Sequence, residues 1–128
     1  MSWLLDTNVA IHLRDGDPRI TDRVESLDGD LALSIVSRVE LEGGVYQVLA
    51  ESDGRRIRLD VLLASLRVID FDEKSANAYR TILEAVGFSR RKVLDRMIAA
   101  QAMANRASLI TLNGDDFRDI PGLDLVEW

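Results

Sequence analysis

Carboxylates stand in this chain where an apolar run has just ended or a helix is about to begin. Asp6 closes the first apolar run in "LLDTNV", Glu40 follows the second in "SIVSRVELEGGV", Asp95 precedes "RMIAAQA", and Asp115 and Asp116 follow "SLITL" within "TLNGDDF". Two unit charges about 4 Å apart repel by roughly 4 kcal/mol at an effective dielectric of 20, so several ionised carboxylates share a pocket only with a cation or protons among them. Their oxygens suit a hard divalent ion, of which Mg²⁺ keeps several waters and uses one or two carboxylates directly. Such an ion can activate water and neutralise charge developing on a phosphodiester. With no cysteine and a single histidine, His12, the donor set points to metal-assisted phosphoryl transfer more than to zinc hydrolysis.

Each acid also has a purely structural use. Asp6 suits the N-cap of a helix starting at Thr7. Ser37 and Glu40 fit the S-x-x-E capping box, in which the glutamate turns back to the cap. Asp95 suits a helix N-terminus by charge and dipole, and Asn113-Gly114 marks a turn in which Asp115 and Asp116 would be solvated. The chemical reading therefore rests on the set, and the set depends on the elements that carry it.

Short apolar runs at 3–5, 31–35, 67–71, 108–112 and 123–127 read as strands. Helical patterns fill the intervals: 7–14; 18–27, with Pro18 at its first turn; 37–50 and 55–66 as a hairpin turning at Ser52-Asp53-Gly54; 73–86, ending at Gly87; and 95–107. Val45, Leu49, Ile57, Leu62 and Leu66 are the expected inward positions of the hairpin, and Ile98, Ala99, Ala102 and Ala104 would let the last helix approach a sheet closely. Strands alternating with helices predict an α/β fold, a mostly parallel five-stranded sheet flanked by helices on both faces. In such sheets ligands bind beyond the carboxyl ends of the strands, at a switch point in strand order. Asp6, Glu40 and Asp116 would lie on that rim, and Asp95 joins them if its helix runs antiparallel to the strands.

Composition sets outer bounds. The 128 residues suffice for one core and are read as a single domain, 1–128. Absence of cysteine excludes a disulfide framework, and no run approaches a membrane span or a signal peptide, so a cytoplasmic protein is expected. Sixteen Lys and Arg against twenty-two Asp and Glu leave a net charge of -6, which argues against a general nucleic-acid coat protein.

In order, spacing and context, "LLDTNVAIHL", "SIVSRVELEGGV", "LDRMIAAQAMANRASLITLN" and "DDFRDIPGLDLVEW" resemble the PIN-domain ribonucleases, and most of all their VapC type, the toxin half of bacterial toxin-antitoxin pairs. The resemblance spans essentially the whole chain. It implies a PIN-like three-layer fold and Mg²⁺- or Mn²⁺-dependent endonucleolytic cleavage of RNA, commonly transfer or ribosomal RNA. Matched position by position, it implies metal ligation by Asp6, Glu40, Asp95 and Asp116, with Asp115 second to Asp116. Glu40 would coordinate or help orient the attacking water, Thr7 matches the hydroxyl residue after the first acid, and Asn113 matches the polar residue that orients the cluster. A cognate antitoxin whose tail occupies the groove, and a homodimer, are implied too. The apolar residues Val45, Tyr46, Val48 and Leu49 suit burial by a partner chain. Two alternatives stand beside this reading: a catalytically inactive PIN-like binding module, and a haloacid-dehalogenase-like phosphatase, which needs an acid where Asn8 stands.

The basic residues fall into two clusters, Arg55, Arg56 and Arg58 at the hairpin and Arg90, Arg91, Lys92 and Arg96 beside Asp95. As phosphate contacts they would supply sequence-blind affinity for RNA; otherwise they are solvated helix ends. The second cluster is better placed. His12 reads as a surface or packing residue, and Trp3 and Trp128 as sheet-edge packing.

Overall fold

Leu4 and Leu5 face opposite sides of the first strand, and that alternation organises the molecule. A computed structural model describes residues 1–128. It contains strands β1 (Ser2–Leu5), β2 (Asp30–Ser34), β3 (Arg67–Ile69), β4 (Ser108–Thr111) and β5 (Leu125–Glu127), and helices α1 (Thr7–Arg14), α2 (Pro18–Glu25), α3 (Ile35–Val45), α4 (Ser52–Ser65), α5 (Glu73–Val86) and α6 (Val93–Ala104). All four strand pairings are parallel, in the order β3-β2-β1-β4-β5. Leu4 pairs with Ala32 and Leu109 in register, and Leu5 with Leu33 and Ile110. The first three residues belong to one core cluster with Ile82 of α5 and Ile98, Ala99 and Ala102 of α6. The second three join Val9 and Ala10 of α1, Leu41 and Val45 of α3, and Leu59 and Leu62 of α4. Both faces of the sheet are covered, so its central strands are apolar throughout rather than alternating. The expected α/β architecture is thus present, and the sheet is wholly parallel.

The order turns back at β1: β2 and β3 lie on one side of it, β4 and β5 on the other. This is the switch point at which the loops after β1 and β4 diverge and leave a crevice. Local signals set several boundaries as expected. Pro18 stands at the first turn of α2, capped by Asp17, and α5 ends at Gly87 with φ +77°.

The helical hairpin differs from expectation. Its turn falls at residues 46–51, around a short 3₁₀ segment, and α4 runs through Ser52, Asp53 and Gly54. Val45 and Leu62 point inward as expected, whereas Leu49 is 79% and Ile57 65% exposed. With the turn earlier than expected, these two side chains belong to the outer face of the hairpin. No helix is long and apolar enough to cross a membrane.

Candidate active site

The loop after β1 delivers Asp6 in two roles at once. Its Oδ1 accepts from the Thr7 N–H at 2.8 Å as the N-cap of α1, and its Oδ2 accepts from the Thr111 hydroxyl at 2.8 Å. The capping and chemical uses are compatible, because one carboxylate has four lone-pair directions. Thr111, at the end of β4, is wholly buried, and its Oγ1 accepts from the Asn113 N–H at 3.0 Å. It is the residue that sequence reasoning missed; a threonine ending a strand carries no local signal of pairing with a side chain on the neighbouring strand.

Glu40 reaches the same rim from α3. Thr7 Oγ1 is hydrogen-bonded to Glu40 Oε1 and to Ser37 Oγ, each at 2.8 Å. An ionised carboxylate only accepts, so Thr7 donates to Glu40 and Ser37 donates to Thr7. The expected capping box is therefore absent. α3 begins two residues earlier than read, and its N-cap is Ser34, whose side chain accepts from the Val36 N–H at 2.9 Å. Ser37 and Glu40, one turn inside the helix, are free to face α1.

Asp95 lies in the first turn of α6, which places it at the carboxyl edge of the sheet, as its helix direction requires. Asp116 lies in a 3₁₀ turn after β4 and accepts from Asn113 Nδ2 at 2.8 Å. Asp115 turns outward and pairs with Arg118. At Gly114 the Glu127 carboxylate, held by Arg118, occupies the space a Cβ would take, 2.1 Å from its carboxyl carbon, so a larger residue there would displace that ion pair. Asn8 is engaged structurally, its Oδ1 accepting from the Leu112 N–H at 3.3 Å.

One open cleft of about 250 Å³ is lined by Asp6, Thr7, Asn8, Glu40, Asp95 and Asp116 together with Ile11. The structure thus brings the four expected acids to one rim, with Thr7 in its wall and Asn113 behind Asp116. Burial raises the Asp6 carboxyl above its ordinary range, against the opposing bonds from Thr111 and Thr7, with repulsion from Glu40 and Asp116 adding to the rise. Asp95 is pushed up to about 6, first by burial and then by the charges of Asp6, Asp116 and Glu40, with Lys92 opposing. These are the signs of acids close enough to disfavour joint ionisation. No three of them are gathered tightly enough to ligate one ion directly. The spread fits a hydrated hard ion, which takes some ligands through water.

The basic clusters are mostly spoken for. Arg55 pairs with Glu51, Arg56 with Glu42 and Asp60, and Arg58 with Asp15. Lys92 and Arg96 both meet Asp119, and Arg96 is buried. That leaves Arg90 and Arg91 as the cations of these clusters without an acid partner.

A parallel sheet with an acid cleft at its switch point describes a class, and comparison identifies it. The PIN-domain profile matches residues 3–123, and the chain belongs to that family. Over its full length it is 32% identical to the ribonuclease VapC2 of Rickettsia felis, covering 98% of that protein. It is 25% identical, again over its full length and 98% of the relative, to the tRNA(fMet)-specific endonuclease VapC of Salmonella typhimurium. The crystal structure of VapBC2 from Rickettsia felis bound to a DNA fragment from their promoter superposes with a TM-score of 0.87 at 30% identity, covering 100% of this chain and 99% of that one. Within the PIN-domain family the chain is of the VapC type, the ribonucleases of toxin-antitoxin pairs.

Proposed function

We propose that this VapC-type nuclease cuts RNA in a Mg²⁺- or Mn²⁺-dependent reaction at the cleft of Asp6, Glu40, Asp95 and Asp116. The observation that carries the reading is the convergence of these four carboxylates on one rim, two of them held above their ordinary range by burial and by one another. All-oxygen donors without cysteine or a lining histidine suit a hard cation. Asp6, Asp95 and Asp116 would hold the ion, directly or through water. When bound, it would supply the positive charge that lets the acids ionise together and polarises water and phosphodiester.

The remaining work falls to the chain. Thr111 and the Thr7 amide fix both oxygens of Asp6. Thr7 holds Glu40 Oε1, leaving its other oxygen to coordinate or to orient the attacking water. Asn113 holds Asp116 in the cleft. RNA is the substrate class because the curated relatives are named ribonuclease and tRNA(fMet)-specific endonuclease; transfer or ribosomal RNA is the expected target. The VapBC complexes among the structural relatives support a cognate antitoxin as partner, and the exposed apolar hairpin supports a homodimer. Its place of action is the cytoplasm, where such RNAs are found.

The test compares the purified protein with an Asp6→Asn variant on total cellular RNA, with Mg²⁺, with Mn²⁺ and with EDTA. Discrete fragments are expected from the unaltered protein with metal, and a loss of at least about a hundredfold in rate for the variant, the scale on which displaced catalytic groups act. Fragments that persist in EDTA would remove the metal from the reading. No cutting by antitoxin-free protein under any condition would leave the inactive binding module.

A further inference from the structure

A second pocket adjoins the acid cleft along α1. Asn8 lines the cleft and His12, one helical turn further on, lines this pocket, whose other walls include Arg19 and Arg23 of α2, Leu112 after β4, and Trp128. The linings have no residue in common but are joined by hydrogen bonds. Asn8 accepts from the Leu112 N–H, and the Trp128 N–H donates to the carbonyl of Thr111, the residue whose hydroxyl holds Asp6. A turn of helix rises about 5.4 Å, comparable to one nucleotide step along a strand.

The arginines here, like Arg90 and Arg91, stand apart from most cations of the surface. Most arginines of the chain meet a carboxylate, but Arg19 and Arg23 form no ion pair. Arg23 is held instead over the Trp128 ring, its guanidinium carbon 5.6 Å from the centroid, an arrangement that orients the cation without neutralising it. The one acid in the wall, Asp17, is already engaged, capping α2 through the Arg19 N–H at 3.0 Å and meeting His12 Nδ1 at 3.4 Å. A volume of about 290 Å³ admits a phosphate with part of its ribose rather than a helix. Two unpaired guanidinium groups recognise phosphate oxygens by paired N–H donors, and on a chain of net charge -6 such a site offsets the repulsion of a polyanion.

We propose that the Arg19, Arg23 and Trp128 pocket binds the phosphate of a nucleotide adjoining the one cleaved, as a substrate subsite of the nuclease. The proposal rests on RNA being the substrate. Arg19 and Arg23 supply the contact, and Trp128 positions Arg23.

The test uses the full chain, unaltered and as Arg19→Gln/Arg23→Gln, with a short single-stranded RNA of mixed sequence. Binding is read by fluorescence anisotropy in EDTA over a series of KCl concentrations, and cleavage of the same RNA with Mg²⁺. The expected result is a Kd and KM raised about tenfold with kcat within twofold, and a log K against log salt slope shallower by about 0.7, one phosphate contact fewer. Arg19→Gln alone, at an exposed side chain that leaves the Trp128 stack intact, is expected to show the same direction. Arg80→Gln on α5, packed against the other face of the sheet, is expected to change nothing. Equal Kd and slope for unaltered and double-variant protein, with RNA still bound and cut, overturns the subsite and leaves the nuclease reading intact. A polyglutamate peptide that binds the unaltered protein and not the double variant, while RNA affinity is unmoved, overturns it in favour of an acidic protein segment. Failure of the unaltered protein to bind or cut RNA removes the nuclease reading itself, and the subsite with it.

Discussion

Asp95 illustrates how a single carboxylate couples activity to stability. Its pKa in the fold is about 6 against an ordinary value of 3.8, so between about pH 4 and 6 the folded chain keeps a proton that the unfolded chain has released. Stability contributed by that proton is present below this window and is lost as pH rises through it. Asp15, Glu42 and Glu127 are held below their ordinary ranges by hydrogen bonds from arginines and by their charges, and Asp72 by hydrogen bonds from Ser75, so their contributions fade in the opposite direction, as pH falls. The Asp95→Asn variant separates the two effects. In EDTA at pH 7.5 it is expected to be more stable than the unaltered protein by about 1 kcal/mol, two pKa units discounted for partial solvent contact, which is a rise of roughly 3 °C in Tm. Below about pH 4 the difference is expected to vanish. Adding Mg²⁺ at pH 7.5 should raise the Tm of the unaltered protein and leave the variant behind. Calorimetric scans at three pH values, with and without metal, check this; identical Tm values for both proteins at every pH would mean that neither burial nor the neighbouring acids raise Asp95 in the fold.

Among the elements, helix α6 shows what local sequence carries and what it does not. Its existence was legible in the spacing of Ile98, Ala99 and Ala102, all fully buried, and Asp6, Asp95 and Asp116 were legible because each stands next to an element boundary, with Glu40 further inside α3. Gln101 was not. It lies wholly buried, bonds the Ser34 hydroxyl, and its Nε2 donates to the carbonyls of Ile69 and Asp70 at 3.1 and 3.0 Å. One amide thereby ties α6 to the ends of β2 and β3, a contact made across more than thirty residues of chain that no window of sequence displays. Boundaries failed for a related reason. β2 passes into α3 at Ser34 without a loop, so Ser37 looked like the cap, and the real turn of the hairpin, Tyr46-Gln47-Val48-Leu49-Ala50-Glu51, contains neither glycine nor proline while Ser52-Asp53-Gly54 mimics one. Replacing Gln101 by Leu would leave two carbonyls and a hydroxyl without their partner, at roughly 1–3 kcal/mol for each group that water cannot reach. A loss of about 3 kcal/mol is expected, read as a lower urea midpoint at unchanged slope. A midpoint equal to that of the unaltered protein would show the three groups satisfied elsewhere.

At the scale of the whole molecule, the two cores leave one apolar surface without a counterpart. The sheet buries its own faces against α1 to α4 on one side and α5 and α6 on the other, yet Tyr46, Leu49, Ile57 and Val61 of the α3–α4 hairpin remain 59%, 79%, 65% and 66% exposed. Ile57 and Val61 are one turn apart on α4 and present a common face. The charged residues beside them, Glu42, Arg56 and Asp60, are already paired among themselves, so covering this face would strand no ion. Clustered apolar exposure of this kind marks an association surface, and the lining of the acid cleft includes none of these residues. Sedimentation equilibrium is expected to find a dimer, and Tm to rise with protein concentration, as mass action requires of an associating fold. A Leu49→Glu/Ile57→Glu variant is expected to sediment as a monomer with a concentration-independent Tm, because each copy would bring two unpaired carboxylates into the apolar contact. Since neither side chain is in the core, the monomer should retain its folded circular-dichroism spectrum. An unaltered protein that stays monomeric across the accessible concentration range would assign the hairpin face to a different chain, and binding of the cognate antitoxin to the double variant would then be the quantity to measure.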